Sequence, residues 1–265
     1  MLGMQLKAIW SYRGFIWGSL QRDFQTRYRK SVLGSLWAVL NPLATILIYT
    51  VIFSQLMKAR LPGTNDTMAY SIYLCSGVLT WGFFAEIINR SQTVFIENAN
   101  MIKKLNFPRI CLPMIVVGNA AVSFAISFGL FICFLAVLGK FPGWVMMGLV
   151  VVLVIQVVFA MGFGIILGIL NVFFRDIGQA VGIILQFWFW FTPIIYPISI
   201  LPPSIQSLIR LNPMVSVISA YQSILVYGNW PDWLSLAPTT VIAALACLLA
   251  FHLYKKRSSE MVDEL

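Results

Sequence analysis

The stretch at 144–171, WVMMGLVVVLVIQVVFAMGFGIILGILN, contains no charged residue and decides the solvent in which this chain folds. A helix rises about 1.5 Å per residue, so a run of this length can cross the roughly 30 Å hydrocarbon core of a bilayer. The chain is 60% hydrophobic and only 10% charged, whereas soluble domains carry about 25% charged residues. The stretch at 144–171 is one of six long apolar stretches. They run approximately over 32–57, 70–96, 110–138, 144–171, 179–198 and 234–254. The sequence therefore predicts an all-α integral membrane protein with six transmembrane helices, forming one transmembrane domain over residues 1–265.

Residues 1–30 predict a helix that lies along the membrane surface, followed by a basic elbow. Aromatic residues such as Trp10, Phe15 and Trp17 alternate with Arg13 and Arg22. This alternation is typical of an amphipathic interfacial helix. A cleaved signal peptide would need an uninterrupted apolar region and a small-residue cleavage site, and neither is found here. A solvated helix packed on a partner protein would show the same pattern.

The distribution of basic residues predicts the orientation in the membrane. If the N-terminus is cytoplasmic, 14 of the 18 Lys and Arg residues fall on the cytoplasmic side, and only Lys58, Arg60, Lys140 and Arg210 fall outside. Short cytoplasmic segments retain basic residues. We therefore expect both termini, including the tail 255–265, to be cytoplasmic. Topology and lipid headgroups account for the net charge of +9, so nucleic acid is not expected as a partner.

The region 193–233 is rich in proline but still mostly apolar. Its run at 214–228 is too short for a seventh span, and such a span would place Lys255, Lys256 and Arg257 outside. A segment that enters and leaves by the same face agrees with both the length and the charge. We therefore predict short re-entrant helices over 194–230, forming an external gate region between the fifth and sixth spans.

The chain lacks the residues that enzymatic chemistry would need. It contains no GxxxxGK[ST] phosphate loop, its only histidine is His252, and its four cysteines are widely separated. We therefore predict no catalytic, cofactor-binding or metal site, and any ATP must be hydrolysed by another subunit. Glu86 and Arg90 are spaced for a buried helical ion pair. Charged residues within a membrane are candidates for a functional role. The opposite charges of Glu86 and Arg90 also neutralise each other, which is a sufficient structural reason for the pair.

Three other segments stand out by composition. The aromatic run at 187–191 projects around the whole helix, so its members either line a passage or form an interfacial belt with packing contacts. Two connectors, 97–108 and 173–179, have the composition of docking elements, and ordinary solvated loops would have it as well.

Four motifs now support a family. The sequence RYRKSVLGSLWAVLNP at 27–42, NANMIKKLNFPR at 98–109 with Leu112-Pro113, FFRDI at 173–177, and Tyr196-Pro197 with Leu211-Asn212-Pro213 occur in this order over nearly the whole chain. In motif, order and spacing the chain resembles the membrane-spanning permeases of polysaccharide ABC exporters. It resembles in particular those that export lipid-linked O-antigen of the A-band type in Gram-negative bacteria. Capsule and teichoic-acid permeases share most of these features.

The resemblance implies a mechanism and assigns roles to residues. Two copies of the chain would form a homodimer in the inner membrane with a channel between them, paired with two ATP-binding subunits that carry ATP and Mg²⁺. The substrate would be an undecaprenyl-pyrophosphate-linked polysaccharide. The residues implied for coupling to the ATPase are Asn98, Asn100, Met101, Lys103, Lys104, Phe107, Pro108, Arg175 and Asp176. Those implied for the channel or gate are Trp188, Trp190, Phe191, Tyr196, Pro197, Asn212 and Pro213.

The basic group Arg22, Arg27, Arg29 and Lys30 is placed to contact a pyrophosphate headgroup, since arginine offers a planar fork of donors. Positive-inside anchoring explains the same residues equally well. Two further functions remain open: export of a drug, small lipid or ion, and an ATP-independent flippase or membrane enzyme acting on lipid-linked sugars.

Overall fold

The computed structural model describes residues 10–28, 31–57, 61–62, 66, 68–104, 108, 110–257 and 260–264, and all regular structure among them is helical. The all-α prediction is thereby confirmed for these residues. Short 3-10 turns at Gly34–Leu36, Gly143–Met146 and Ile198–Ile200 and a π-helical turn at Val51–Leu56 supplement the α-helices. The α-helices are α1 (Arg13–Tyr28), α2 (Trp37–Thr50), α3 (Ala69–Glu97), α4 (Ala99–Lys104), α5 (Cys111–Val137), α6 (Met147–Phe173), α7 (Asp176–Trp190), α8 (Pro203–Ile209), α9 (Pro213–Tyr227), α10 (Trp233–Arg257) and α11 (Glu260–Glu264).

In the described part of the chain, five helical segments are long and apolar enough to cross a membrane. They correspond to five of the six predicted stretches and are Gly34–Ser54, Ala69–Glu97, Cys111–Val137, Gly143–Phe173 and Trp233–Arg257. In hydrocarbon, a helix is favoured because it satisfies its backbone hydrogen bonds within the segment. The prediction of a multi-pass membrane protein is therefore confirmed.

The predicted fifth stretch, 179–198, is not a continuous helix. Its helix, α7, begins at Asp176 and ends at Trp190. Pro193 follows closely, and proline lacks the N–H that would continue the helical ladder. The 15 residues of α7 span only about 22 Å, so this helix alone is shorter than a full crossing.

Helix α3 lies at the centre of the bundle and packs against α5, α6 and α9. Of the 18 most apolar consecutive residues of α3, 72% are buried, whereas the corresponding share in the span Gly34–Ser54 is 11%. Helices α3 and α6 approach each other closely at Gly168, where an added Cβ atom would lie 2.5 Å from the Ser91 carbonyl oxygen. Only glycine allows this separation, and small residues at helix interfaces in membranes serve this purpose.

The bundle has two structurally distinct ends. The connector end, as we call it, comprises α1, α4, residues 174–175 and α11. The proline-rich end comprises residues 191–212 and the beginning of α3, and there Lys140 forms an ion pair with Asp66. Helix α3 joins the two ends, because it begins beside the proline-rich segment and leads into α4.

Candidate functional sites at the two ends of the bundle

The first connector is the short helix α4. Asn98 stands between α3 and α4, and its Nδ2 donates a hydrogen bond to the Val94 carbonyl at 2.8 Å. Within α4, Ile102 is buried whereas Lys103 and Lys104 are exposed. The helix is thus seated by an apolar residue and presents two cations outward. Of the other residues assigned to this connector, Asn100 is exposed, Met101 and Pro108 are half-buried, and Phe107 lies outside the described residues.

The second connector is the two-residue elbow between α6 and α7. Arg175 and Asp176 are both exposed, and Asp176 lies in the first turn of α7, where a carboxylate interacts favourably with the helix dipole.

Sequence reasoning missed the residue that holds this elbow in place. Asn171 is buried, and its Nδ2 donates to the Gln92 carbonyl at 2.8 Å while its Oδ1 accepts from the Gly178 N–H at 3.0 Å. It therefore ties the elbow to α3, the helix that leads into the first connector. The available signal was a polar residue inside an otherwise apolar run, which within a membrane is expected to find partners.

A pocket of about 680 Å³ lies under α1 at the connector end. Its other walls come from α3, α4 and α5, and Met101 of the first connector is among its lining residues. On α1 the lining includes Phe15, Ser19, Arg22 and Thr26, a spacing that places them on one face of a helix. Helix α1 thus turns a largely polar face toward the pocket.

The outer face of α1 carries exposed tryptophan side chains. Trp10, just before the helix, and Trp17 are 70% and 63% exposed, and at ~100° per residue both lie opposite the pocket face. Exposed tryptophan is common at the membrane–water boundary, so these two side chains agree with the predicted interfacial helix.

The pocket combines charges of both signs. Arg22 donates to the Ser19 hydroxyl at 3.1 Å, and Asp23 accepts from Asn119 at 2.7 Å, which fastens α1 to α5. Arg90 lines the pocket and lies 3.2 Å from Glu86. This ion pair is partly exposed rather than buried, with 34% of the Arg90 side chain accessible. Guanidinium groups beside balancing carboxylates suit a polar or anionic headgroup better than an apolar ligand.

The other predicted headgroup residues contribute no described side chain. The backbone of Arg27 belongs to α1, its side chain lies outside the described part of the chain, and so do Arg29 and Lys30.

At the opposite end, the structure separates the predicted channel aromatics. The Trp188 ring packs edge-on against Trp81 and Phe84 in the core, with centroid distances of 6.1 and 5.3 Å. Trp190 and Phe191 instead point outward and are 57% and 63% exposed. Within a single chain, Trp188 therefore has a packing role, while Trp190 and Phe191 offer free aromatic surface.

Asn212 is the centre of a hydrogen-bond network at this end. Its Oδ1 accepts from Trp188 Nε1 at 2.8 Å and from the Met214 N–H at 3.0 Å, which caps α9. Its Nδ2 donates to Thr192 Oγ1 at 3.0 Å. Pro213 occupies the first turn of α9, a position where the missing N–H has no cost. The network joins the end of α7 to the start of α9.

Two tyrosines of α3, not identified from sequence, hold the backbone of the proline-rich segment. Tyr73 donates to the carbonyls of Pro193 and Tyr196 at 2.9 and 3.2 Å, and Tyr70 donates to the Ile195 carbonyl at 2.5 Å. The Tyr196 hydroxyl in turn donates to the Trp190 carbonyl at 2.8 Å. Pro197, which follows, is buried. Non-helical backbone at membrane depth needs such partners for its carbonyls.

These features define a class: a polytopic helical membrane protein with two short connectors at one end and a hydrogen-bonded non-helical segment at the other. Among the described residues, no group of three His, Cys, Asp or Glu could hold a metal ion. The chain belongs to the ABC-2 type transporter family, whose pattern matches residues 15–226. The family resemblance seen in the sequence is thereby confirmed.

Individual relatives are similar over almost their whole length. The chain is 30% identical to the O-antigen export system permease protein RfbA of Myxococcus xanthus, over 98% of both chains. It is 33% identical to the protein of the same name from Klebsiella pneumoniae, over 91% of this chain and 92% of the relative. The polysialic acid transport protein KpsM of Escherichia coli is 22% identical over the same shares.

Proposed function

We propose that this chain is the membrane-spanning permease subunit of an ATP-driven exporter that moves lipid-linked O-antigen polysaccharide across the bacterial inner membrane. The observation that carries the proposal is the identity of 30–33% over at least nine-tenths of both chains with permeases named for O-antigen export. Export of another surface polysaccharide, such as a capsule polymer, is the second candidate. It rests on the more distant relatives named for polysialic acid transport, at 21–22% identity.

The working unit we propose contains two copies of this chain and two copies of a separate ATP-binding subunit, which holds ATP and Mg²⁺. The chain itself is a transport subunit and not an enzyme. Each copy crosses the membrane six times, with α7 and the turn after it forming the fifth crossing, and has both termini in the cytoplasm. The large exposed apolar surface of α2, α7 and α10 supports contact with lipid and with a second copy.

At the cytoplasmic side, the pocket under α1 receives the pyrophosphate headgroup of an undecaprenyl-linked polymer. Its mixed lining supports this role, because Arg22 supplies donors for phosphate oxygens while the aromatic outer face of α1 contacts lipid. Arg27, Arg29 and Lys30 add positive charge nearby.

At the external side, residues 194–230 act as a re-entrant gate. Trp190 and Phe191 guide the sugar chain, because flat aromatic rings stack on sugars without fixing a register. Their exposure in the single chain supports this role. Tyr196, Pro197, Asn212 and Pro213 hold the gate in shape, and Trp188 anchors it to the core.

The proposal is tested first by affinity purification of the tagged chain in mild detergent, followed by mass spectrometry and ATPase measurements. We expect a stoichiometric ATP-binding subunit whose ATP turnover depends on this chain. Recovery of the chain alone, under conditions that preserve other membrane complexes, would refute the exporter and favour a flippase or enzyme.

The docking role of α4, together with Arg175 and Asp176 of the elbow, is tested by charge reversal. We expect Lys103→Glu and Lys104→Glu together to reduce polymer export roughly tenfold or more, because losing one close charge pair costs at least ~1.4 kcal/mol. Lys256→Glu, an exposed charge at the same end but outside both connectors, is the matched control. Export at the wild-type rate in the double variant, with normal membrane insertion, would exclude α4 as the contact.

A further inference from the structure

The C-terminal segment has no role in the mechanism described so far. Its last helix, α11, contacts both α4 and α6 at the connector end. Met261 is 1% exposed, although it lies in a five-residue helix whose Asp263 and Glu264 are exposed. Full burial of one apolar residue in so short and polar a helix indicates that α11 is held by its tertiary contacts, because a helix of this length is not stable alone.

The cluster that buries Met261 includes a residue of the first connector and a residue of α6 close to the second. Ile102 of α4 and Val172, just before the elbow, belong to the same buried cluster, and Val262 packs against it. Flexible methionine side chains fill such irregular gaps well.

The chain just before α11 contacts the end of α6, next to the second connector. The Arg257 guanidinium lies 5.9 Å from the centre of the Phe173 ring, within range of a cation–π interaction. Arg257 also forms an ion pair with Glu260 at the start of α11. The C-terminal segment therefore contacts the end of α6 through Arg257 and α4 through α11.

Helix α4 is consequently held from two sides. Met101 lines the pocket under α1, whereas the next residue, Ile102, lies in the cluster with Met261. A helix of six residues is stabilised mainly by such packing rather than by its own hydrogen bonds. Loss of one of the two supports is expected to loosen α4 without unfolding the bundle.

We propose that α11 is a clamp on the connector helix α4, and that Met261 is a positioning residue for coupling to the ATPase. The coupling role rests on the proposed function, in which α4 is the ATPase contact. The clamp itself is a property of the single chain.

The clamp is tested by labelling Ile102→Cys with a membrane-impermeant maleimide in inverted membrane vesicles, after subtracting the labelling of the parent chain. Cysteine is readily tolerated at buried positions. We expect Met261→Ala to raise the labelling rate of this cysteine about tenfold, since truncating a buried methionine opens the cluster to which Ile102 also belongs. Met261→Leu, which conserves volume, and Asp263→Ala, which changes an exposed residue of α11, should leave the rate unchanged.

The coupling role is tested by the ATP consumed per polymer exported in the reconstituted complex. We expect this ratio to rise severalfold in Met261→Ala and to return to the wild-type value in Met261→Leu. Unchanged labelling in Met261→Ala overturns the clamp. Increased labelling with an unchanged ATP ratio overturns the positioning role, because a purely structural loss would lower the amount of complex and not the ratio. Labelling needs no ATPase partner, so it decides the clamp even if the proposed function fails.

Discussion

Removing the hydroxyl of Tyr73 is the most direct test of how the backbone of the proline-rich segment is held in place. It is the donor to two backbone carbonyls, those of Pro193 and Tyr196, at 2.9 and 3.2 Å. Tyr73→Phe removes this donor and leaves the ring in place. The Pro193 carbonyl keeps a long contact with Gln222 at 3.5 Å, whereas the Tyr196 carbonyl loses the bond from α3.

The magnitude follows from hydrogen-bond energies measured in membrane proteins. One interhelical hydrogen bond contributes about 0.6 kcal/mol on average and about 1.7 kcal/mol at most. An acceptor left without a partner in a buried site adds to this cost. We therefore expect Tyr73→Phe to lower the free energy of unfolding by about 1–2 kcal/mol.

Tyr221 provides a matched control within the same chain. It is 1% exposed, compared with 5% for Tyr73, and its hydroxyl makes no hydrogen bond to any described residue. Tyr221→Phe therefore removes a buried polar group that has no partner, and it should be neutral or stabilising by up to ~1 kcal/mol.

Equilibrium unfolding of both variants in mixed detergent micelles, followed by tryptophan fluorescence, measures the difference. Equal free energies for the two variants, or a more stable Tyr73→Phe, would refute the assignment of the Tyr73 hydroxyl as a structural tie.

Two further predictions concern packing and use the same unfolding assay. Gly168→Ala should destabilise the chain by about 1–3 kcal/mol, because its methyl group would meet the Ser91 carbonyl at 2.5 Å. The control is Gly129→Ala, at a helical position with open space around it, which should be neutral or stabilising by roughly 0.5–1 kcal/mol. Equal effects of the two substitutions would contradict the close approach of α3 and α6. Trp188 is half-buried and packs against the core, so Trp188→Ala should cost about 2–3 kcal/mol, less than the ~3–5 kcal/mol lost when a fully buried aromatic residue is truncated. The same substitution at the exposed Trp190 should change stability by less than ~0.5 kcal/mol. The reverse order would mean that the two side chains have been assigned to the wrong environments.

The sequence by itself determined the solvent, the helical class and the family. Long runs such as 144–171 have only one stable backbone solution in hydrocarbon, because each N–H and C=O must be satisfied within the segment. Five predicted spans therefore agree with helices to within a few residues. The connector motifs were recognisable because they are contiguous in the chain, and the family match confirms the resemblance built on them.

The tertiary structure alone decided which residues meet. Trp188 and Trp190 lie two positions apart and have the same chemistry, yet one packs in the core and the other is exposed. Hydrophobicity cannot distinguish them, because lipid and protein neighbours are equally apolar.

The same reason explains the sites that sequence reasoning missed. Asn171, Tyr73 and Met261 each act through partners distant in sequence, and no local pattern encodes a partner on another helix. Lipid dictates that the segments are helical, whereas the packing of helix against helix decides which faces form the pocket under α1, the hydrogen-bonded proline-rich end and the cluster around Met261.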